Sequence, residues 1–186
     1  CNNASLEELD NEWKGVGDPT EIALLVAAAK AGIWKGELDD KLPRLQEVIF
    51  TSERKMMSTL HNMQEQEMAF TKGAPEIVLD RCTSIYVPSG VREITDKDRK
   101  EILEKNQDLA QKTYRVLALA YRPLNTKSEE LEKDMTFLGL VAMLDPPREE
   151  AKRAIDTCHR AGIKVVMITG DNQETAKAIA REIGLS

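Results

Sequence analysis

The hydrophobic pattern of the chain changes at about residue 135, and this change constrains the fold more than any other feature. Before it, short apolar runs alternate with polar turns, as at Val48–Phe50, Met56–His61 and Met68–Thr71. Short strands with brief connections predict an antiparallel meander. After it comes a nearly continuous apolar strand, Phe137–Leu144, and then the helix–strand–helix rhythm of a parallel α/β sheet.

The second pattern contains a single buried strand, predicted at Lys164–Thr169 between helices over 148–161 and 172–183. One strand cannot make a sheet, so we expect this segment to be part of a larger domain. The sequence therefore predicts an α+β domain over 1–144, with an antiparallel sheet flanked by helices, followed by a partial α/β segment over 145–186.

Capping sequences mark the starts of the predicted helices. Asp18 is predicted as an N-cap followed by a proline, with Glu21 as the acid of a capping box, in a helix that continues to Gly32. A second capping box at Thr95–Asp98 predicts a long helix. Residues 1–17 are polar and rich in turns, and the pattern predicts no strand there.

Composition excludes several classes of function. Aromatic residues make up only 4% of the chain, which predicts an aliphatic core, and the formal charge of −6 argues against a dedicated nucleic-acid binder. An anionic ligand held by a few local cations remains compatible with that charge. No apolar run approaches the roughly 18 residues that a membrane span needs. The first residues do not resemble a signal peptide, and the absence of an initial methionine suggests an excised fragment.

The cysteines and histidines predict no metal site. The three cysteines are scattered without ligand spacing, which is typical of reduced thiols in a cytosolic protein. Neither His61 nor His159 has a partner at helical ligand spacing.

Phosphate chemistry is suggested at the end of the predicted strand Lys164–Thr169. Thr169, Gly170 and Asp171 lie where this strand ends and the next predicted helix begins. The carboxyl end of such a strand is where α/β sheets bind ligands, and the N–H groups of a helix start favour phosphate. Asp171 serving only as a helix cap is the alternative.

Three other segments could bind a ligand, but each has a plainer explanation. Lys72 precedes Gly73, where a ligand could approach the backbone closely, although a solvated lysine before a turn is the commoner case. Phe50 beside a polar turn could stack on a base, with Lys55 nearby, or could be a core residue. Arg115 could reach a phosphate or simply be a cation at a sheet edge.

The order of these motifs resembles one family closely, over essentially the whole chain. The series is GDPTE, F-x-x-x-RK, TKGAPE, RVLALA, DPPR and MITGDN. It is similar to the cytoplasmic part of P-type ATPases, specifically the calcium-pump-like cation pumps. The resemblance implies a nucleotide-binding domain followed by part of the phosphorylation domain, which has a haloacid-dehalogenase-like fold.

The resemblance also implies roles for individual residues. The implied nucleotide-binding set is Glu21, Phe50, Lys55, Lys72, Gly73 and Arg115. Phe50 would stack on adenine, and Glu21 and Lys55 would contact the adenine end. The lysine–glycine pair at 72 and 73 would line the pocket, and Arg115 would approach the phosphates.

The segment after the predicted strand Phe137–Leu144 would form the hinge into the phosphorylation domain. The resemblance implies that the hinge is Asp145, Pro146, Pro147 and Arg148. Thr169, Gly170 and Asp171 would face the transferring phosphate or the ribose when the domains close, and would assist phosphoryl transfer in an intact pump.

The sequence departs from the family pattern in three places. The DKTGT segment with the phosphorylated aspartate is absent, and so is TGDGxNDxP with its magnesium-binding acids. Ser52 stands where animal calcium pumps have an arginine that touches nucleotide phosphates. We therefore expect no catalytic residue in this chain, no turnover by the chain alone, somewhat weaker phosphate contact, and Mg²⁺ ligands largely outside it.

The expected function is that of an ATP- and ADP-binding part of a P-type cation-transporting ATPase, with calcium as the favoured ion. The expected location is the cytoplasmic face of a membrane. The expected partners are the nucleotide with Mg²⁺ and the phosphorylation, actuator and membrane domains of the pump, and no nucleic acid. Two alternatives are a haloacid-dehalogenase-type phosphatase with a large cap and a non-catalytic regulatory or docking module.

Overall fold

The computed structural model describes most of the chain. The described ranges are 1–9, 12–63, 66–112, 114–124, 130–144, 148–168 and 173–185. The strands are β1 (Ser5–Leu9), β2 (Glu12–Val16), β3 (Arg44–Val48), β4 (Met56–Met63), β5 (Gln66–Gly73), β6 (Cys82–Val87), β7 (Gly90–Glu93), β8 (Arg115–Leu124) and β9 (Met135–Met143). The helices are α1 (Pro19–Lys30), α2 (Lys35–Lys41), α3 (Pro75–Asp80), α4 (Asp96–Gln111), α5 (Glu149–Arg160) and α6 (Gln173–Glu182).

A seven-stranded sheet organises the domain, in the order β3-β4-β5-β8-β9-β6-β7. Neighbouring strands are antiparallel, apart from β6 and β9, which run parallel. The predicted α+β class, an antiparallel sheet flanked by helices, is confirmed. The parallel pair arises because β6 is joined to β9 through α4 and β8, a connection long enough to bring the chain back in the same direction.

The two faces of the sheet carry different layers because side chains alternate along each strand. On one face, α3 and α4 cover an aliphatic core that includes Met56, Val78, Ala118 and Met135. On the opposite face, His61 Nδ1 lies 2.8 Å from the Leu42 carbonyl oxygen, which follows α2. The core contains a single phenylalanine, Phe137, in agreement with the low aromatic content.

Both predicted N-caps are present, but one capping box is not closed as predicted. The Asp18 carboxylate accepts a hydrogen bond from the Thr20 N–H at 2.8 Å, and Thr95 forms a complete capping box with Asp98. Glu21 does not complete the first box. Its carboxylate is used elsewhere, in a contact with β5 that is described below.

The N-terminal hairpin was not predicted. β1 and β2 pair in an antiparallel two-stranded sheet, from Ser5 opposite Val16 to Leu9 opposite Glu12. Their residues are mostly polar because one face of the hairpin remains exposed, so the apolar alternation of a half-buried strand is faint. Trp13 of β2 lies beside Trp34, with ring centroids 4.9 Å apart.

The predicted strand at Lys164–Thr169 is wrong for the residues that the structure describes. Helices α5 and α6 form, but 163–168 between them has no regular structure. Val166 is 68% exposed and Ile168 is 94% exposed. A parallel strand needs a hydrogen-bonded neighbour, and the described part of the chain supplies none at this position. No described helix is long and apolar enough to cross a bilayer.

Candidate functional site

One pocket lies where β4 and β8 begin and β5 ends, beside the start of α1 and the end of α4. Its volume is about 660 Å³. Its walls include all six residues of the predicted nucleotide-binding set: Glu21, Phe50, Lys55, Lys72, Gly73 and Arg115. Residues that lie up to 94 positions apart in the sequence therefore converge on one cavity.

Phe50 lies at the exposed edge of this pocket. The predicted strand Val48–Phe50 is corrected, because β3 ends at Val48 and residues 49–50 belong to the following loop. Phe50 is 57% exposed. The alternative that Phe50 packs in the core is therefore wrong, and its ring is available to a ligand.

Lys72 is buried, and its ammonium group forms an ion pair with the Glu21 carboxylate. Glu21 also accepts a hydrogen bond from the Asn3 backbone N–H at 3.0 Å. Burial alone would raise the pKa of Glu21, but the hydrogen bonds from Lys72 and Asn3 and the lysine charge outweigh it, so the pKa is lowered. The alternative of a solvated lysine before a turn is wrong for Lys72, whose head is fixed while its stem lines the pocket.

Gly73 ends β5 where two backbones meet. A Cβ atom at this position would lie 2.6 Å from the Lys55 carbonyl oxygen and 2.7 Å from the Met56 Cα. The next residue, Ala74, donates its N–H to the same Lys55 carbonyl at 2.9 Å. Lys55 itself has a φ of 52°, a left-handed conformation that is uncommon for a residue with a side chain. Only glycine allows β5 to hold this loop so closely.

Arg115 begins β8 and faces the start of α1. Its Nη1 donates a hydrogen bond to the Thr20 hydroxyl at 2.6 Å. Hydrogen bonds from Thr20 are the largest cause that lowers the pKa of Asp18, and the Arg115 charge acts in the same direction. This end of the pocket therefore combines a guanidinium group with a helix N-terminus, and both favour an anion.

Sequence reasoning did not single out part of the pocket wall. Asn106, Ala110 and Tyr114 come from the end of α4 and the residues after it, and Glu76 comes from the start of α3. No local pattern marks them, because the packing of α4 against the sheet brings them to the pocket. The TKGAPE motif, which includes Glu76, was the one available signal.

The remaining predicted residues mostly lie outside the described part of the chain. This holds for Asp145, Pro146 and Pro147, and also for Thr169, Gly170 and Asp171. Arg148 is described, and it precedes α5 as an N-cap without a side-chain capping hydrogen bond.

The pocket has the composition that is usual for a small-molecule site. Its walls are largely apolar, from residues such as Met57, Pro75 and Leu117, with a few charged groups at fixed positions. Among the described residues no group of three or more His, Cys, Asp or Glu side chains is arranged to hold a metal ion. The described residues therefore do not supply a Mg²⁺ site of their own.

The fold is a largely antiparallel sheet flanked by helices, with a pocket at one end of its central strands. Residues 1–150 match the family model for the P-type ATPase cytoplasmic domain N, and the chain belongs to this family.

Matches to curated proteins over the whole of this chain agree with this assignment. The chain is 41% identical to calcium-transporting ATPase 1 of Lactococcus lactis and 41% identical to a calcium-transporting ATPase of Bacillus subtilis, in each case over 100% of this chain and 21% of the relative. It is 39% identical to the sodium/potassium exporting P-type ATPase cta3 of Schizosaccharomyces pombe, over 100% of this chain and 18% of that protein. The chain thus spans about a fifth of the length of the curated relatives it matches.

Proposed function

We propose that the pocket binds ATP and ADP, with the purine ring stacked on Phe50. The observation that carries this proposal is the convergence of the six predicted residues on one cavity. A volume of about 660 Å³ lies within the range of roughly 300–1,000 Å³ that is usual for sites of small molecules. The exposed ring offers a flat apolar surface, and a purine is the flat part of such a ligand.

The charges in the pocket suggest how the nucleotide is oriented. Lys72 is neutralised by Glu21, so this pair forms a polar wall without net charge beside the base. Arg115 donates a hydrogen bond to the neutral Thr20 hydroxyl, and its charge acts on the Asp18 carboxylate without a direct hydrogen bond, so the guanidinium group would be able to bind phosphate oxygens. The nucleotide would therefore extend from Phe50 and Lys55 at the base end to Arg115 at the phosphate end.

In the whole protein, this domain would present ATP to a second domain that carries the phosphorylated aspartate. Catalysis would then depend on positioning and charge neutralisation at the γ-phosphate. Residues 145–186 would be the first part of that phosphorylation domain, with the hinge at 145–148, and Thr169, Gly170 and Asp171 would assist the transfer. Mg²⁺ would accompany the nucleotide and bind largely to residues outside this chain.

The whole protein would be an ATP-hydrolysing, cation-translocating pump in a membrane, with this domain on the cytoplasmic face. The other domains of the pump would be its partners. Calcium is the ion we favour, because the Lactococcus and Bacillus relatives are calcium-transporting ATPases.

Titration of the chain with ATP, followed by NMR or calorimetry, tests nucleotide binding. We expect a Kd of roughly 0.1 mM to several mM, or about −3 to −5.5 kcal/mol, because the phosphate contacts of this chain are few. The amide signals that shift should be those of Phe50, Lys72 and Arg115. If the shifts cluster elsewhere, the proposed position of the nucleotide site is wrong. If the chain does not bind ATP at several mM, the alternative of a docking module is favoured.

Replacement of the stacking ring provides a sharper test. Phe50→Ala should weaken ATP binding by about 1–3 kcal/mol, the range seen when aromatic partners of stacked bases are removed from other proteins. The matched control is Tyr86→Ala, which removes an equally exposed aromatic ring, 53% exposed, from β6 outside the pocket wall. Equal affinities for Phe50→Ala and the control would show that the base does not stack on Phe50.

An assay of turnover separates this proposal from the phosphatase alternative. The purified chain should hydrolyse neither ATP nor a generic phosphate ester, because it lacks the aspartyl nucleophile of the family motif. If an ester-hydrolysing activity co-purifies with the chain and is abolished by Asp171→Asn, that result would instead support a phosphatase.

A further inference from the structure

The backbone of Phe50 is fixed on both sides, although its side chain is exposed. On one side, Arg54 Nη1 donates a hydrogen bond to the Ile49 carbonyl oxygen at 2.6 Å. On the other side, the Lys55 N–H donates to the Thr51 carbonyl oxygen at 2.8 Å, and the Arg54 N–H donates to the Thr51 hydroxyl at 3.2 Å. A loop that holds an exposed ring usually has more freedom, so these contacts point to a need for a fixed ring direction.

The guanidinium group that holds this loop is itself anchored inside the domain. Arg54 Nη2 forms an ion pair with Glu132, whose side chain is 12% exposed. The same Glu132 oxygen accepts a hydrogen bond from Ser58 Oγ at 2.7 Å, and Ser58 Oγ lies 2.7 Å from Thr71 Oγ1. Ser58 and Thr71 are a buried cross-strand pair on the sheet face opposite to Lys72, so the network is anchored on β4 and β5, the strands that also carry Met57 and Lys72 of the pocket wall.

Neither Arg54 nor Glu132 lines the pocket. The direct connection from Arg54 to the pocket is the loop 49–55, which carries Phe50 and Lys55 of the pocket wall. Arg54 is suited to this task because the planar guanidinium group can donate to a carbonyl and a carboxylate at the same time in fixed directions. A lysine at this position would keep the charge but could not hold both partners in this geometry.

We propose that Arg54 and Glu132 are positioning residues for the purine-binding ring of Phe50. They act by tying the Ile49 carbonyl to a buried carboxylate, so that the ring is directed into the pocket before the nucleotide arrives. Preorganisation of this kind lowers the entropic cost of ordering the loop on binding. This inference rests on the proposed function, and its test is designed so that the failure of each can be told apart.

A double-mutant cycle on ATP affinity tests the proposal in the full chain. The variants are Arg54→Lys, Phe50→Ala and the double variant, each titrated with ATP, and each unfolded in urea to check that it is folded. Arg54→Lys should raise the Kd roughly 3- to 10-fold when Phe50 is present, and by less than about 1.5-fold in the Phe50→Ala background. The matched control is Arg92→Lys, which alters an arginine–carboxylate pair with Asp98 outside the pocket and should leave the Kd unchanged.

The outcomes are distinct. If Arg54→Lys raises the Kd equally in both backgrounds, or lowers stability without changing the Kd, the positioning role is overturned and the network is only structural. If Phe50→Ala by itself leaves the Kd unchanged, the proposed stacking function fails first.

Glu132→Gln provides an independent variant if Arg54→Lys does not fold. It keeps the size of the side chain and one acceptor oxygen for Ser58 but removes the charge that holds Arg54. The Kd for ATP should rise in the same direction as for Arg54→Lys, and the Phe50 and Thr51 amide signals should move in the absence of nucleotide. A folded Glu132→Gln variant with unchanged loop signals and unchanged Kd would overturn the proposal.

Discussion

Replacement of Gly73 by alanine adds only a methyl group, but it should destabilise the domain strongly. The new Cβ would lie 2.5 Å from the Met56 Cβ, 2.6 Å from the Lys55 carbonyl oxygen and 2.7 Å from the Met56 Cα. Carbon contacts are relaxed at about 3.5–4.0 Å, so the strands β4 and β5 must separate by roughly 1 Å at this point. Two of the three close atoms are backbone, and a rotamer change cannot move them away.

The magnitude follows from two contributions. Overpacking of this kind costs about 1–3 kcal/mol. Displacement of Lys55 also strains or breaks the Ala74 N–H to Lys55 carbonyl hydrogen bond of 2.9 Å, which is worth about 1 kcal/mol. We expect Gly73→Ala to lower the free energy of unfolding by about 2–4 kcal/mol in total.

Urea unfolding followed by circular dichroism measures this change. With a slope of about 2 kcal/mol per molar urea, the midpoint should fall by roughly 1–2 M. The control is Gly36→Ala in α2, where nothing lies within 4 Å of the added Cβ, and where alanine should stabilise by about 0.5–1 kcal/mol. A Gly73→Ala midpoint within about 0.2 M of the original, which is one tenth to one fifth of the expected fall, would refute the close-approach argument.

Two further predictions concern pH dependence and thiol reactivity. Hydrogen bonds that the Arg92 guanidinium and the Thr95 hydroxyl and backbone N–H donate to the Asp98 carboxylate hold its pKa well below its usual range, so its contribution to stability is present above the usual aspartate pKa and is lost as the pH falls towards the folded-state value. Asp98→Asn should therefore lower the urea midpoint at pH 7, and the difference should narrow below about pH 4; a difference that grows on acidification would contradict this. Burial raises the pKa of the Cys82 thiol to about 12, so in native protein Cys82 should react with a thiol reagent far more slowly than the half-buried Cys158, and mass mapping that finds Cys82 labelled first would contradict its place in the core.

The sequence predicts much of this domain because local signals and tertiary structure agree over most of it. The capping box at Thr95, the proline start of α1, and the apolar runs of β4, β5 and β9 each appear where their patterns indicate. The sequence does not predict the elements that depend on contacts between residues far apart in the chain. The β1–β2 hairpin is polar, and the parallel pairing of β6 with β9 depends on a chain reversal that no local pattern encodes.

The candidate site shows the same division. The positions of Phe50, Lys72 and Arg115 follow from their motifs, but their environments do not. Nothing near Lys72 in the sequence indicates that Glu21, which suits a capping box, is used as its partner instead. The segment at 163–168 is the opposite case, because its apolar residues predict a strand and the described chain contains no neighbour to complete one.

The strand order has a consequence for how such a domain is made in the cell. The β6–β7 hairpin joins the rest of the sheet through β9, which ends about fifty residues after β7. A ribosome that adds roughly 5–20 residues per second needs about 3–10 s to make that stretch. Throughout this interval the hairpin has been synthesised but the strand with which it pairs, β9, has not. Chaperone contact with the nascent chain should therefore concentrate on the segment between β6 and β9.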